Sequence, residues 1–259
     1  MLIIIKSLMK LTIDIGNTCT KLVAFSGLKP LCECRTDTGD IPKLKDFCAL
    51  YPFESGIMSS VIPVSEEMDA AISSLPFSVL RFRSGVTPIP LANRYATPLS
   101  LGSDRIAAAV GAYMEHEGTA VLVIDVGTCI TYDFVNRHGE YLGGNISPGP
   151  RIRFKALHEM TAALPLVGRC GDVPDTGYST DTAIRSGVLR GIEYEIEGYI
   201  SDFLLKYPGL FIYLTGGVPL DLHISEKKCI FADKFIVPKG LNRILLYNEA
   251  LISNEKNSI

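Results

Sequence analysis

At 259 residues, with 47% hydrophobic and 20% charged side chains, the chain is long enough to bury one large core or two medium ones. Its formal net charge of −3, with Lys and Arg scattered rather than bunched, excludes a general attraction to nucleic acid or to an anionic membrane. The seven cysteines are odd in number, and their one close pair, Cys32 and Cys34, lacks companions at zinc-site spacing, so they read as reduced thiols of a cytoplasmic protein.

The apolar start MLIIIKSL is cut by Lys6 and followed by no small-residue cleavage site before Asp14. Residues 1 to 8 therefore read as an N-terminal extension and not as an export signal. No stretch approaches the roughly 20 apolar residues of a membrane span. Residues 10 to 15 form a strand ending in Asp14, and KLVAF at 21 to 25 is apolar again, so the intervening GNTCT reads as a hairpin turn. A surface helix over 41 to 52, a buried strand over 56 to 62 and a helix over 65 to 75 capped by Ser65 give a βα alternation. FSVLRF, the proline-broken TPIPLANRYATP and the helix DRIAAAVGAYMEH follow, and the boundary between halves falls near Gly118. VLVIDVG then opens a second half. GEYLGGNISPGP reads as a glycine-rich loop leading into a helix over 151 to 163, FIYLTGGVP at 211 to 219 as a strand with a glycine pair, and 239 to 251 as a closing helix. The longest helical pattern covers 181 to 207, where Ile184, Val188, Ile192, Ile196, Ile200 and Leu204 recur every fourth residue beside the small Gly187 and Gly191. That stripe suits either the core or a dimer seam.

The chemistry lies in a turn used twice, LTIDIGNTCTK at 11 to 21 and VLVIDVGTCITYD at 121 to 133. Asp14 aligns with Asp125, Gly16 with Gly127, and Asn17 or Thr18 with Thr128. A third turn, TGG, follows a later strand. Glycine lets backbone N–H groups approach phosphate oxygens. Asp14 at its strand end can hold Mg²⁺ directly or through water, while Asn17, Thr18 and Thr20 offer neutral donors and Lys21 a positive charge. Two such turns imply two similar half-domains facing each other across a nucleotide. Neither GxxxxGK[ST] nor GxGxxG is present, which excludes a Walker loop and disfavours a Rossmann site. Asp104, after a Gly-Ser turn at a helix start, suits a general base that takes a hydroxyl proton during phosphoryl transfer, or a plain helix cap. His116, His138, His158 and His223 sit in no nucleophile pattern.

Taken together and in order, DIGNTCTK, NRYATPLSLGSDR, DVGTCITYD, GGNISPG, HEMTAALP, STDTAIRSG and LTGG resemble the type III pantothenate kinases of the acetate and sugar kinase, Hsp70 and actin superfamily, over about residues 9 to 220. The resemblance implies an α/β fold of two actin-like (ribonuclease H-like) half-domains with an ATP cleft between them, divided as 9 to 117 and 118 to 259. It implies ATP contacts from Asp14, Ile15, Gly16, Asn17, Thr18, Cys19, Thr20 and Lys21, with Thr128 opposite, and Mg²⁺ near Asp14. Asp125 resembles the ligand of a monovalent cation, K⁺ or NH₄⁺. Asp104 takes the place of the base, and Tyr95, Gly102, Ser103 and Arg105 hold pantothenate, the guanidinium fork of Arg105 suiting its carboxylate. Thr180, and with it Thr161, resembles a substrate contact supplied by the partner subunit of a homodimer. That turns the stripe of the long helix toward the seam reading. Cys129 departs from the usual alanine and Ser179 from a frequent asparagine. Within the same superfamily a phosphoanhydride hydrolase or a nucleotide-binding regulator are the alternatives.

Overall fold

The computed structural model describes residues 9–217 and 229–257. The expected extension at 1 to 8 and the end of FIYLTGGVP lie outside the described residues. The chain starts with the antiparallel hairpin β1 (Met9–Ile15) and β2 (Cys19–Ser26), extended by β3 (Lys29–Asp37). Helix α1 (Ile41–Leu50) begins where the Asp40 carboxylate accepts the Lys43 N–H, and returns the chain to β4 (Phe53–Ser60), parallel to β1. Helix α2 (Glu66–Ser73) is capped by Ser65 as expected and leads to β5 (Ser78–Arg81). The sheet order is β3-β2-β1-β4-β5.

A two-residue strand β6 (Ala92–Asn93) and helix α3 (Ser103–Glu115) connect to the second half. There β7 (Val121–Val126), β8 (Cys129–Val135) and β9 (Glu140–Pro148) repeat the antiparallel meander, helices α4 (Pro150–Glu159) and α5 (Thr180–Lys206) follow, and β10 (Phe211–Gly216) lies parallel to β7. Strand β11 (Ile230–Ala232) and helix α6 (Ile236–Asn257) complete the chain. The second sheet runs β11-β10-β7-β8-β9-β6; read from β9 to β11, it has the order of the first sheet, with parallel and antiparallel pairs in the same places. Gly118, with φ +85°, turns the chain between α3 and β7.

The halves are stitched together. Strand β6 pairs with β9 of the second sheet, and α6 packs back on β1 and β4, where Glu249 accepts bonds from Lys10 Nζ (2.8 Å) and Ser55 Oγ (2.6 Å). Helix α3 is buried almost all round, in one core with Ile57 and Phe82 of the first half, Val121 and Tyr213 of the second, and Ile236, Leu241 and Ile244 of α6. A run rich in alanine fits there because two layers press on it. Its contact with α6 is backbone to backbone: a Cβ on Gly240 would fall 1.7 Å from the Ala107 carbonyl oxygen, and one on Gly111 2.2 Å from that of Ile236.

Two expectations are corrected. GEYLGGNISPGP is no loop: β9 runs through its glycines, which are needed because a Cβ on Gly144 would fall 1.7 Å from the Tyr132 carbonyl oxygen of β8, while Gly143 has φ +112° beside a register shift. The stripe of α5 is core and no seam, since Ile184, Val188, Ile192, Ile196 and Ile200 are buried against Leu122, Ile124, Tyr132 and Phe154 of the same chain. Gly187, Gly191 and Gly198 have open space around them. Strands β3 and β11 had no clear signal in the sequence.

Replacing Gly240 with Ala is expected to destabilise the fold by about 2–3 kcal/mol, because neither backbone can yield without opening the α3–α6 contact. A denaturant midpoint unchanged within error would show that the helices can separate at no cost.

Candidate active site

The two aspartate turns close in the same way. Gly16 N–H donates to the Cys19 carbonyl at 3.0 Å and Gly127 N–H to the Cys129 carbonyl at 2.9 Å, the first turn being one residue longer. Strand alternation then sorts the side chains. Asp14 stands opposite Lys21, and Asp125 opposite Thr131. Ile15 and Thr20 fall on the other face, with the buried Leu22 and Ala24, so the Thr20 hydroxyl is buried without a hydrogen-bond partner and is not turned to the same side as Lys21. As a side-chain phosphate donor Thr20 is thereby corrected; alternation counted from Leu22 would have found this. Asn17, Thr18 and Thr128 are exposed at the turn tips and open to a ligand, while Cys19 and Cys129 are half-buried.

The third turn lies against the second. Gly216, with φ +104°, leaves no room for a side chain: a Cβ there would fall 2.7 Å from Asp125 Oδ1 and 2.3 Å from the Val126 carbonyl oxygen, and Gly217 N–H donates to that oxygen at 3.2 Å. On the first half the matching strand offers Ser59, whose hydroxyl donates to Asp14 Oδ1 at 2.8 Å. The sequence reading missed Ser59; its signal is the parallel register that sets it beside Asp14. Lys21 Nζ reaches across to the Lys234 carbonyl oxygen at 3.2 Å.

Helix α3 brings the remaining groups. Asp104, in its first turn, accepts the Arg105 N–H at 2.8 Å, and a Cβ on Gly102 would fall 2.6 Å from Asp104 Oδ1. The Ser103 hydroxyl donates to the Ser60 carbonyl at 3.1 Å, so it ties α3 to the end of β4 in place of facing a substrate. The Arg105 guanidinium is buried and engages Asp133: Nη2 lies 2.7 Å from Oδ1, and Nε 3.0 and 3.3 Å from the two oxygens. Its fork is thus already matched to a carboxylate of the chain itself. Tyr95 is half-buried, beside Arg105 and packed over Gly143. Thr180 opens α5, exposed, and the Thr161 hydroxyl donates to the Leu157 carbonyl at 2.7 Å at the end of α4. Among the described residues neither is hydrogen-bonded to Tyr95, Asp104 or Arg105. Thr161 lines an apolar groove of about 770 Å³ between α4 and α5.

Burial raises the pKa of Asp14, Asp104 and Asp125 above the usual carboxylate range, and like charges add to it. Asp104 raises both Asp14 and Asp125, Asp14 also raises Asp125, and Lys21 lowers both. Asp104 is raised further by Asp133 and lowered by the Arg105 N–H and side chain. Asp125 is pushed up to about 6. Carboxylates from both halves are therefore near enough to sense one another's charge, with Lys21 opposing them. Among the described residues no group of three or more His, Cys, Asp or Glu could hold a metal ion alone. Single carboxylates of this kind suit cations whose shells are completed by water and phosphate oxygens.

A profile of the type III pantothenate kinases matches residues 10–202. The chain belongs to this family. A type III pantothenate kinase of Phocaeicola vulgatus is 47% identical over 243 residues, spanning 94% of this chain and all of the relative. Among solved structures, a protein of Campylobacter jejuni described as a Baf family transcriptional activator superposes with a TM-score of 0.58 at 21% identity, covering 93% of this chain and 99% of that one. One described as an N-acetylmannosamine kinase of Listeria monocytogenes gives 0.54 at 11% identity, covering 93% and 100%. These two likenesses support the two-lobed actin-like fold, as does the repeated sheet order, and say nothing about substrate. No helix among the described residues is long and apolar enough to cross a membrane.

For a type III pantothenate kinase with this site, the raised Asp125 has a sign that can be measured. The folded chain holds its proton up to about pH 6, the unfolded chain only to about 3.8. The group's contribution to stability is therefore present below the unfolded value and is lost as pH climbs through the folded one. Without ligands, Asp125→Asn is expected to be more stable than wild type by about 2 kcal/mol at pH 7.5 and equal to it near pH 4, in denaturant titrations at both pH values. Equal stability at pH 7.5 would show that Asp125 is solvated.

Proposed function

We propose that this chain transfers the γ-phosphoryl group of ATP to the primary hydroxyl of pantothenate, giving 4′-phosphopantothenate, the first committed step toward coenzyme A in the cytoplasm. The observation that carries the reading is the place of Asp104: a half-buried carboxylate at the start of α3, whose charge is felt by the aspartates of both turns and which belongs to neither. Its raised pKa brings it closer to the working pH and makes it a better proton acceptor than an exposed aspartate.

The exposed turn tips at Asn17, Thr18 and Thr128, with the N–H groups of the glycine turns, are suited to holding the phosphates from both sides. Lys21 would exchange the Lys234 carbonyl for the terminal phosphate, a stronger charge-assisted partner. Asp14, with one oxygen engaged by Ser59, retains lone pairs for Mg²⁺ or its water, and Asp125 beneath Gly216 for K⁺ or NH₄⁺. Bound there, the two cations would supply charge neutralisation for the phosphoryl transfer. Asp104 takes the hydroxyl proton while Tyr95 and Arg105 hold the far end of pantothenate. The family resemblance puts a partner's Thr180 at that site, and Thr180 is exposed at the start of α5. A homodimer joined along the α4–α5 groove fits the exposed Met160 and Tyr194 on that face, and there the open glycines of α5 admit a close neighbour.

The deciding experiment is ADP formation with and without pantothenate, with K⁺ varied against Na⁺. Pantothenate-dependent ADP release stimulated by K⁺ is expected; release indifferent to pantothenate would make the chain a hydrolase. Asp104→Asn is expected to lower kcat by about 10²–10⁴-fold while ATP binding stays within a few-fold. A variant turning over at the wild-type rate would remove Asp104 from the reaction. Activation by K⁺ is further expected to fade below about pH 6, where Asp125 protonates.

A further inference from the structure

Asp133 has no exposed surface, and its partners are all side chains: Arg105 through Nε and Nη2, and the Tyr141 hydroxyl, which donates to Oδ1 at 2.7 Å. It stands on β8, while Tyr141 comes from β9 and Arg105 from α3, so three elements meet on one carboxylate. A buried ion pair of this kind adds little to stability compared with well-packed apolar side chains, because desolvating both charges offsets their attraction. What it does supply is direction. With the Nε–Nη2 edge fixed on Asp133, the guanidinium plane cannot rotate, and its remaining N–H groups are left for the side where Tyr95 lies, the half-buried margin of the cluster. Released from Asp133, Arg105 has a second acid within reach, its own chain neighbour Asp104, whose carboxylate already bonds the Arg105 N–H.

We propose that Asp133, held by Tyr141, is a positioning residue that aims the free edge of Arg105 at the acidic end of the substrate and keeps that guanidinium off Asp104. The assignment rests on the kinase reading above. It accounts for a fork that is otherwise turned inward: one edge serves the protein, the other the ligand. Asp133 also raises the pKa of Asp104 and Asp125, an effect that acid and neutral substrates share, so the aim of Arg105 is read from the selectivity between them.

The test compares pantothenate with its neutral alcohol analogue, in which CH₂OH replaces the carboxylate, as substrate or competitive inhibitor. Asp133→Asn is expected to raise KM for pantothenate by about tenfold, the loss expected when one charge-assisted hydrogen bond is misdirected. The constant for the alcohol and KM for ATP should stay within about twofold. Tyr141→Phe, which removes one donor and no charge, should give the same pattern at about threefold. If Asp133→Asn does not fold, Tyr141→Phe decides. Equal losses for acid and alcohol, or a changed melting temperature with unchanged selectivity in a folded variant, would reduce Asp133 to a packing role and overturn the proposal. A wild type inactive on pantothenate would overturn the kinase reading and this assignment with it.

Discussion

Partial desolvation of three neighbouring carboxylates is the constraint on which this structure turns. Asp14, Asp104 and Asp125 come from two sheets and a helix, are half-buried, and are harder to ionise chiefly through lost solvation, with Asp104 adding its charge to the burden on the other two. Left to themselves such groups would turn toward water. They are held by contacts that tolerate no slack: α3 against α6 through bare backbone, the TGG turn against Asp125, and Ser103 against the end of β4. The empty protein thus stores an unfavourable arrangement that cations and a polyphosphate bearing bound cations can relieve, which is a common way for binding sites to gain affinity at a cost in stability.

The repeat explains how one chain makes two different sites from one plan. Both turns end a strand in aspartate, close through a glycine N–H and stand beside a parallel strand. The difference lies in what that neighbour offers. On the first half Ser59 provides a hydroxyl to its aspartate; on the second, Gly216 presses bare backbone against it. One carboxylate has an oxygen already bonded, and the other has neither oxygen claimed by a side-chain bond among the described residues. The register sets Ser59 opposite Asp14 and Thr215 opposite Asp125, so the backbone that closes on Asp125 comes from the next residue, Gly216.

Much of this was legible in the sequence, and the reason is local. Strand, acid, glycine and hydroxyl follow one another within a few residues, so the turns at 14 to 21 and 125 to 133 announce themselves, as do the Ser65 cap and the start of α3. What escaped depends on partners far along the chain. Gly143 and Gly144 look like a loop until β8 is placed beside them. Thr20 looks like a phosphate ligand until alternation buries it with Leu22. The α5 stripe reads equally as core or seam, and only the packing of Phe154 and the second sheet against it decides for core. Ser59 lies in no motif, and Asp133 closes DVGTCITYD without a role there; each acquires meaning from the charged residue that the fold sets opposite.

The return of α6 to the first sheet has a consequence for how the molecule is made. Residues near 249 complete the environment of Lys10, and residues near 240 close the core around α3. On a ribosome the opening strands emerge long before these late residues do. The first half must therefore wait, part of its apolar face uncovered, until synthesis has passed residue 249. Folding of the two lobes is accordingly tied to a single late event, and the interval before it is when the nascent chain most needs protection from aggregation.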